Sequence, residues 1–286
     1  MKLLRHGPKG QEKPALLHTD GTVRDLSVVI ADLGPDQLAP EALAALARLD
    51  TDTLPVVEPG RLGVPWHGLG KFIAIGLNYA DHAAEAGMTL PAEPVVFTKF
   101  GSCAVGCNHP VVLPLGSVKT DWEVELGVVI GRRVRHVGEA EALSHVAGYC
   151  VVNDLSEREY QLERGGTWDK GKGCDTFGPI GPWLVTPDEV GDPQNLSMWL
   201  DVNGVRKQTG HTRTMIFSVA KIISYLSRFM TLEPGDIITT GTPPGVGMGQ
   251  KPPQFLRPGD VITLGIERLG EQRQTVHAWN PALIDG

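Results

Sequence analysis

Apolar residues in this chain come mostly in short β-branched runs rather than in long helical stripes. Phe72-Ile73-Ala74-Ile75-Gly76, Val128-Val129-Ile130 and Val146 to Asn153 are nearly unbroken, the pattern of strands covered on both faces. Leu196 to Val202 and Val205 to Gln208 flank Asn203-Gly204, a strong hairpin signal. Glu233-Pro234-Gly235-Asp236 and Arg257-Pro258-Gly259-Asp260 each precede an apolar run, and each Pro-Gly suits a type II turn leading into a strand. Helical spacing is sparser. Phe217, Ala220, Ile222 or Ile223, Leu226 and Met230 line one side of a helix predicted over Phe217 to Met230. A short helix is expected over Tyr79 to Ala86. Ser156 with Glu159 three later gives a capping-box start for another, ending near Glu163.

The first part of the chain has a different texture. Leu16 to Thr19 and Thr22 to Leu26 read as a hairpin around Asp20-Gly21, a pair suited to a type I′ turn. Leu38, Ala42, Leu43, Leu46 and Leu49 recur at helical spacing from about Pro40, a residue tolerated at a first helical position. The Pro- and Gly-rich stretch Leu54 to Leu69 reads as a linker. The expected organisation is a small N-terminal α+β domain over residues 1–68 and a larger unit over 69–286. The fold class is mixed, β-rich α+β with a rolled mixed sheet.

Composition narrows the function. With 286 residues and a net charge of −7, the chain has room for a full core and no basic cluster to track phosphates, which argues against a nucleic-acid partner. Small anionic substrates need only local positive charge, which a divalent metal supplies. No run is long enough for a membrane span, and Met1 to Pro8 lacks the apolar stretch of a secretion signal, so a cytoplasmic protein is expected. Cys103, Cys107, Cys150 and Cys174 are too few for a disulfide scaffold and form no Cys-x-x-Cys pair, so they read as buried thiols.

The chemistry concentrates in four places. Glu123 and Glu125 are two apart on an expected strand and so share a face. Two carboxylates at one point need a shared proton, a basic partner or a metal ion. A solvated edge strand is the other reading, which the apolar run after them disfavours. Asp154 ends an apolar strand and is either a third oxygen ligand or part of an ordinary Asn-Asp turn. His82 and Glu85 fall three apart on the expected helix, as a general-base pair or as a surface ion pair. Gly165 to Gly173 is a flexible loop with Lys170 and Lys172, either a solvated tip or the source of an ammonium for a substrate oxyanion.

In this order the motifs resemble those of the fumarylacetoacetate hydrolase superfamily, over roughly Phe72 to Ala278. They are Gly76-Leu77-Asn78-Tyr79-Ala80-Asp81-His82, Trp122-Glu123-Val124-Glu125-Leu126-Gly127, Asn153-Asp154-Leu155-Ser156-Glu157-Arg158 and Gly241-Thr242-Pro243-Pro244-Gly245-Val246-Gly247. The resemblance implies that Glu123, Glu125 and Asp154 bind Mg²⁺ or Mn²⁺, that His82 and Glu85 activate water from a lid, and that Lys172 stabilises an oxyanion. It assigns Arg158, Gln161 and Thr242 to substrate. Asn78 stands where one branch has a further aspartate ligand, so three protein carboxylates are expected. The implied reaction is attack of water on C4 of a 2,4-dioxo acid, with cleavage of C3–C4 to leave a pyruvate enolate. The stretch Glu163 to Pro179 and the N-terminal region look like the subgroup acting on 2,4-diketo-3-deoxy-L-fuconate or L-rhamnonate, often labelled ureidoglycolate lyase. Alternatives are a 2-oxo acid decarboxylase or isomerase (oxaloacetate or 2-hydroxyhepta-2,4-diene-1,7-dioate type), ureidoglycolate cleavage, and a metal-stabilised binding protein without turnover. A homodimer is implied.

Overall fold

The computed structural model describes residues 1–81 and 89–285. Among them, eleven strands form one mixed sheet. Its order is Val56–Val57, Val23–Asp25, Lys13–Leu17, Lys2–His6, Gly178–Val185, Val146–Asn153, Val124–Ile130, Ile237–Thr239, Phe72–Gly76 and Val95–Lys99, with Ala104–Gly106 alongside Gly178–Val185. Neighbours pair antiparallel except Ile237–Thr239 with Phe72–Gly76 and Gly178–Val185 with Ala104–Gly106. A second sheet of five strands runs Val205–His211, Ser197–Val202, Val261–Ile266, Gly270–His277 and Val111–Val112. The expected class, β-rich α+β with mixed sheets and few helices, is the observed one.

The unbroken apolar runs are the central strands. Val124–Ile130 lies between Val146–Asn153 and Ile237–Thr239 and is buried along its whole length. One cluster of buried side chains joins the sheets, with Val128 and Val151 from the first and Leu200 and Leu264 from the second. Polar residues thread this layer where backbone pairing fails. The register slips between Tyr149 and Val151, and the buried Gln272 amide donates to Val151 O at 2.8 Å and Gly181 O at 2.9 Å. Unpaired carbonyls there would each cost about 1–3 kcal/mol.

Several sequence expectations hold. Asn203 and Gly204 both take positive φ in the hairpin turn, as a type I′ turn requires. Gly235 and Gly259 have φ near +90°, and each turn closes with Asp236 N to Glu233 O or Asp260 N to Arg257 O at 3.0 Å. The helix at Pro40 spans Pro40–Leu46.

Others need correction. At Asp20-Gly21 only the glycine has positive φ, and Gly21 N donates to His18 O, so the loop is a type I turn closed by a left-handed glycine rather than type I′. The stretch read as a linker carries strand Val56–Val57 and the buried Trp66, whose Nε1 donates to Gly235 O at 3.0 Å. The long helix covers Val219–Leu226, shorter than Phe217 to Met230. Phe217 N is taken by the Asn78 side chain and Ser218 caps the first turn through Lys221 N. Ser156 is no helix cap: Ser156–Glu157 pairs with Thr120–Asp121, and the helix Arg158–Leu162 is capped by Glu157, whose side chain accepts from Glu159 N. The helix expected from Tyr79 lies mostly outside the described residues, as do His82 and Glu85.

Candidate metal and substrate site

Antiparallel register assembles the three carboxylates. Val124 pairs with Asn153, which sets Glu123 opposite Asp154, and Asp154 N donates to Glu123 O at 2.9 Å. Opposed residues share a face, and so do residues two apart. Glu123, Glu125 and Asp154 therefore converge, with a carboxylate oxygen from each within 4.8 Å of the others. All three are buried.

Buried amides fix the end of this strand pair. Asn153 Oδ1 accepts from Glu123 N at 3.3 Å, while Asn153 Nδ2 donates to Gln274 Oε1 at 3.1 Å. Gln208 Oε1 accepts from Val124 N at 3.0 Å, and its Nε2 donates to Thr242 Oγ1 and Pro243 O. Thr242, predicted at the site, lines it and donates its own hydroxyl proton to Val124 O.

Three cations reach the carboxylates. Lys172 Nζ donates to Glu123 Oε2 and Asp154 Oδ2, each at 2.7 Å. It stands at the end of a short helix, Asp169–Lys172, whose Asp169 side chain accepts from Thr98 N and Oγ1. Gly171 lets that helix close on its neighbour, because a Cβ there would come within 2.6 Å of Glu157 O. Arg158 NH2 donates to Glu123 Oε1 at 2.6 Å, its Nε to Asp121 Oδ2 at 2.9 Å and NH1 to Gln161 Oε1 at 3.0 Å. Starting the helix at Arg158 puts Arg158 and Gln161 one turn apart on the same side. Lys99 was not anticipated. Its Nζ, fully buried, donates to Asp154 Oδ1 at 2.6 Å and also to the Lys172 carbonyl. A lone lysine at the end of the half-exposed strand Val95–Lys99 gives no sequence signal.

These contacts divide the carboxylates. Burial opposes ionisation of Glu123, but Lys172 and Arg158 outweigh it and hold the carboxyl down at about 2. Burial and the Asp154 and Glu123 charges push Glu125 well above the usual carboxylate range. Among the described residues, a backbone donor reaches it, Gly241 N at 2.9 Å. Burial works against the Lys172 ammonium, yet Asp154 and Glu123 hold its value above that of an ordinary lysine. A divalent ion between these oxygens would remove the repulsion that raises Glu125. Three buried carboxylates with no His or Cys suit a hard cation such as Mg²⁺ or Mn²⁺.

Asn78 does not join this set. Its Nδ2 donates to Thr240 O at 2.8 Å and Phe217 O at 3.1 Å, and its Oδ1 accepts from Phe217 N. The amide pins the chain just before residue 79.

The cluster opens onto a cavity of about 230 Å³. Glu123, Glu125, Arg158, Gln161 and Lys172 line one part of it, and Trp168, Phe97, Val246 and Met248 are among its apolar walls. Trp168 meets Phe97 edge-on, with ring centroids 5.3 Å apart.

A conserved-sequence model for the fumarylacetoacetate hydrolase C-terminal domain matches residues 71–277. The chain belongs to this family, an enzyme superfamily, as its motifs predicted. A protein of Burkholderia multivorans, named no more closely than as a hydrolase, is 64% identical over 281 residues, 97% of this chain and 99% of the relative. The structure of fumarylacetoacetate hydrolase from psychrophilic Exiguobacterium antarcticum is similar over 98% of this chain and 100% of that one, at 34% identity and a TM-score of 0.84. Maleylpyruvate hydrolase from Sphingobium sp. SYK-6, in complex with manganese(II) and pyruvate, matches over the same shares at 29% identity and a TM-score of 0.81.

Proposed function

We propose that this protein is a divalent-metal-dependent hydrolase that cleaves C3–C4 of a 2,4-dioxo acid, giving pyruvate and a second acid. Within that class we assign 2,4-diketo-3-deoxy-L-fuconate or L-rhamnonate, with lactate as the second product, and a cytoplasmic homodimer as the working form. The observation that carries the reading is the convergence of Glu123, Glu125, Asp154 and Lys172 at one side of an otherwise largely apolar cavity. The manganese and pyruvate of the Sphingobium relative support it.

Glu123, Glu125 and Asp154 would hold Mg²⁺ or Mn²⁺, which when bound supplies Lewis acidity toward the 2-oxo acid end of the substrate. The chain supplies the rest. The Lys172 ammonium offsets the negative charge that appears as C3 leaves C4. Arg158 and Gln161 are hydrogen-bonding groups beside the apolar wall, suited to a hydroxylated distal end. The His82–Glu85 pair, on the strength of the family motif, takes the proton of the water that attacks C4, and C3 is protonated to give pyruvate.

The test is a panel of 2,4-dioxo acids, oxaloacetate and ureidoglycolate, assayed with Mg²⁺ and Mn²⁺ and with products identified by mass. Pyruvate plus lactate from the diketo-deoxy sugar acid is the expected result. His82→Ala and Glu85→Gln should abolish that cleavage, since base catalysis contributes ~10²–10⁴-fold, while sparing part of any oxaloacetate decarboxylation. Parallel loss of both activities would mean that the dyad is not a dedicated water activator, and the assignment of hydrolysis as the main reaction would lose its mechanistic support. Turnover of oxaloacetate or ureidoglycolate alone would replace the proposed reaction.

A further inference from the structure

The cations around the cavity are already committed to carboxylates. Arg158 lies between Asp121 and Glu123, with ion-pair distances of 2.9 and 2.6 Å. Lys172 lies between Glu123 and Asp154, and Lys99 is sealed against Asp154. Four buried carboxylates (Asp121, Glu123, Glu125, Asp154) therefore face three cations. With every group ionised, the balance is one negative charge. A divalent ion turns it into one positive charge, which a single substrate carboxylate neutralises.

Asp121 keeps Arg158 committed. It is fully buried, and besides the arginine it accepts from Gly247 N at 2.6 Å and Met248 N at 2.9 Å. Gly247 packs so closely that a Cβ would lie 2.7 Å from Asp121 Oδ1. The arginine is thus locked to the turn that carries Val246 and Met248 into the cavity wall. Away from the carboxylates the lining is mostly apolar, with Leu77, Leu162, Trp168 and Met248 among it, and its polar side chains there, Gln161 and Thr242, are uncharged. Among the described residues no further Lys or Arg lines the cavity. The nearby Arg164 and Lys170 are turned to Glu159 and to a backbone carbonyl.

We propose that the substrate is a monocarboxylate, a 2,4-dioxo acid whose distal end is uncharged, and that the site rejects dioates by charge. The inference rests on the 2-oxo acid reading above. Among the described residues a second carboxylate would meet no uncommitted Lys or Arg, and it would add a like charge near Glu123 and Glu125.

Matched ligands test this on the metal-loaded protein. Calorimetry would compare 2-oxoheptanoate, 2-oxoheptanedioate and the terminal amide of the latter, none of which has a C4 carbonyl to cleave. The amide and the monoacid should bind alike, and the dioate more weakly by about tenfold or more, with the gap narrowing as salt is raised. Leu162→Arg, which adds a cation at a half-exposed position of the lining, should narrow the gap as well. Turnover of 2,4-dioxoheptanoate over 2,4-dioxoheptanedioate should follow the same order. Equal or tighter binding of the dioate overturns the proposal, and so does rejection of the amide together with the dioate, which would make size the cause. If no 2-oxo acid binds and neither dioxo acid is cleaved, the functional reading itself fails, an outcome distinct from cleavage of both at equal rates.

Discussion

Asp154 stands directly across the strand pair from Glu123: its N–H donates to the Glu123 carbonyl at 2.9 Å, and Lys172 bridges the two side chains. The backbone ladder thus positions two of the three carboxylates and places the third, Glu125, one strand repeat further on the same face.

Glu125→Gln tests the metal assignment. Glu125 is held far toward its protonated form by burial and by its acidic neighbours, so a carboxamide resembles its state in metal-free protein. The melting temperature of the chelated variant should stay close to that of the parent. Its Mn²⁺ affinity should fall by more than the roughly 10–100-fold that losing an outer hydrogen-bonding partner costs. Calorimetry and thermal melts read both. Unchanged Mn²⁺ affinity would remove Glu125 from the ligand set.

The same group sets a pH dependence. In metal-free protein Glu125 binds its proton more tightly folded than unfolded, so its contribution to stability is lost as pH rises from the unfolded value through the folded one. Metal binding requires the carboxylate and releases that proton. The stabilisation given by Mn²⁺ should therefore grow as pH rises. Melting with and without chelator across pH, and proton release measured in two buffers of different ionisation enthalpy, check the sign.

Lys172 and Lys99 should separate by phenotype. Both hold Asp154, but Lys172 lines the cavity while Lys99 is sealed behind it. Breaking a buried pair costs about 3–5 kcal/mol. Lys99→Met should show that loss in denaturant melts. Lys172→Met should lose turnover, and a bound divalent ion should restore its stability by taking over the charges of Glu123 and Asp154. Full turnover by Lys172→Met would exclude its oxyanion role.

Asn78→Asp should destabilise rather than add a ligand. The Asn78 amide donates to Thr240 O and Phe217 O, and a carboxylate would leave both carbonyls without a donor. The cost is about 1–3 kcal/mol or more, and Mn²⁺ should not recover it. Recovery with a gain in metal affinity would mean the position can serve as a ligand.

The site was legible where chemistry and strand period coincide. Glu123 and Glu125 announce a shared face, and Asp154 ends an apolar run. Their mutual register was not readable, because it is set by long-range pairing between Val124 and Asn153. Lys99 and Asp121 went unnoticed for a similar reason. A single charged residue at a strand end looks solvated until the partner strands bury it. Ser156 misled because its local capping signal lost to pairing with Asp121, which delays the helix to Arg158. The shortened long helix is likewise a tertiary effect, since Asn78 claims the N–H of Phe217.

Gly76 has a consequence for observation. A Cβ there would lie 2.6 Å from the Trp168 ring, so the bare backbone is what admits the indole to the cavity wall beside Phe97. Of the six tryptophans, Trp66 and Trp122 are buried with their Nε1 bonded to Gly235 O and Gly245 O and do not line the cavity, whereas Trp168 borders the space a ligand would fill. The chain thus carries an intrinsic optical reporter: fluorescence from Trp168 should register occupancy directly, without turnover or label.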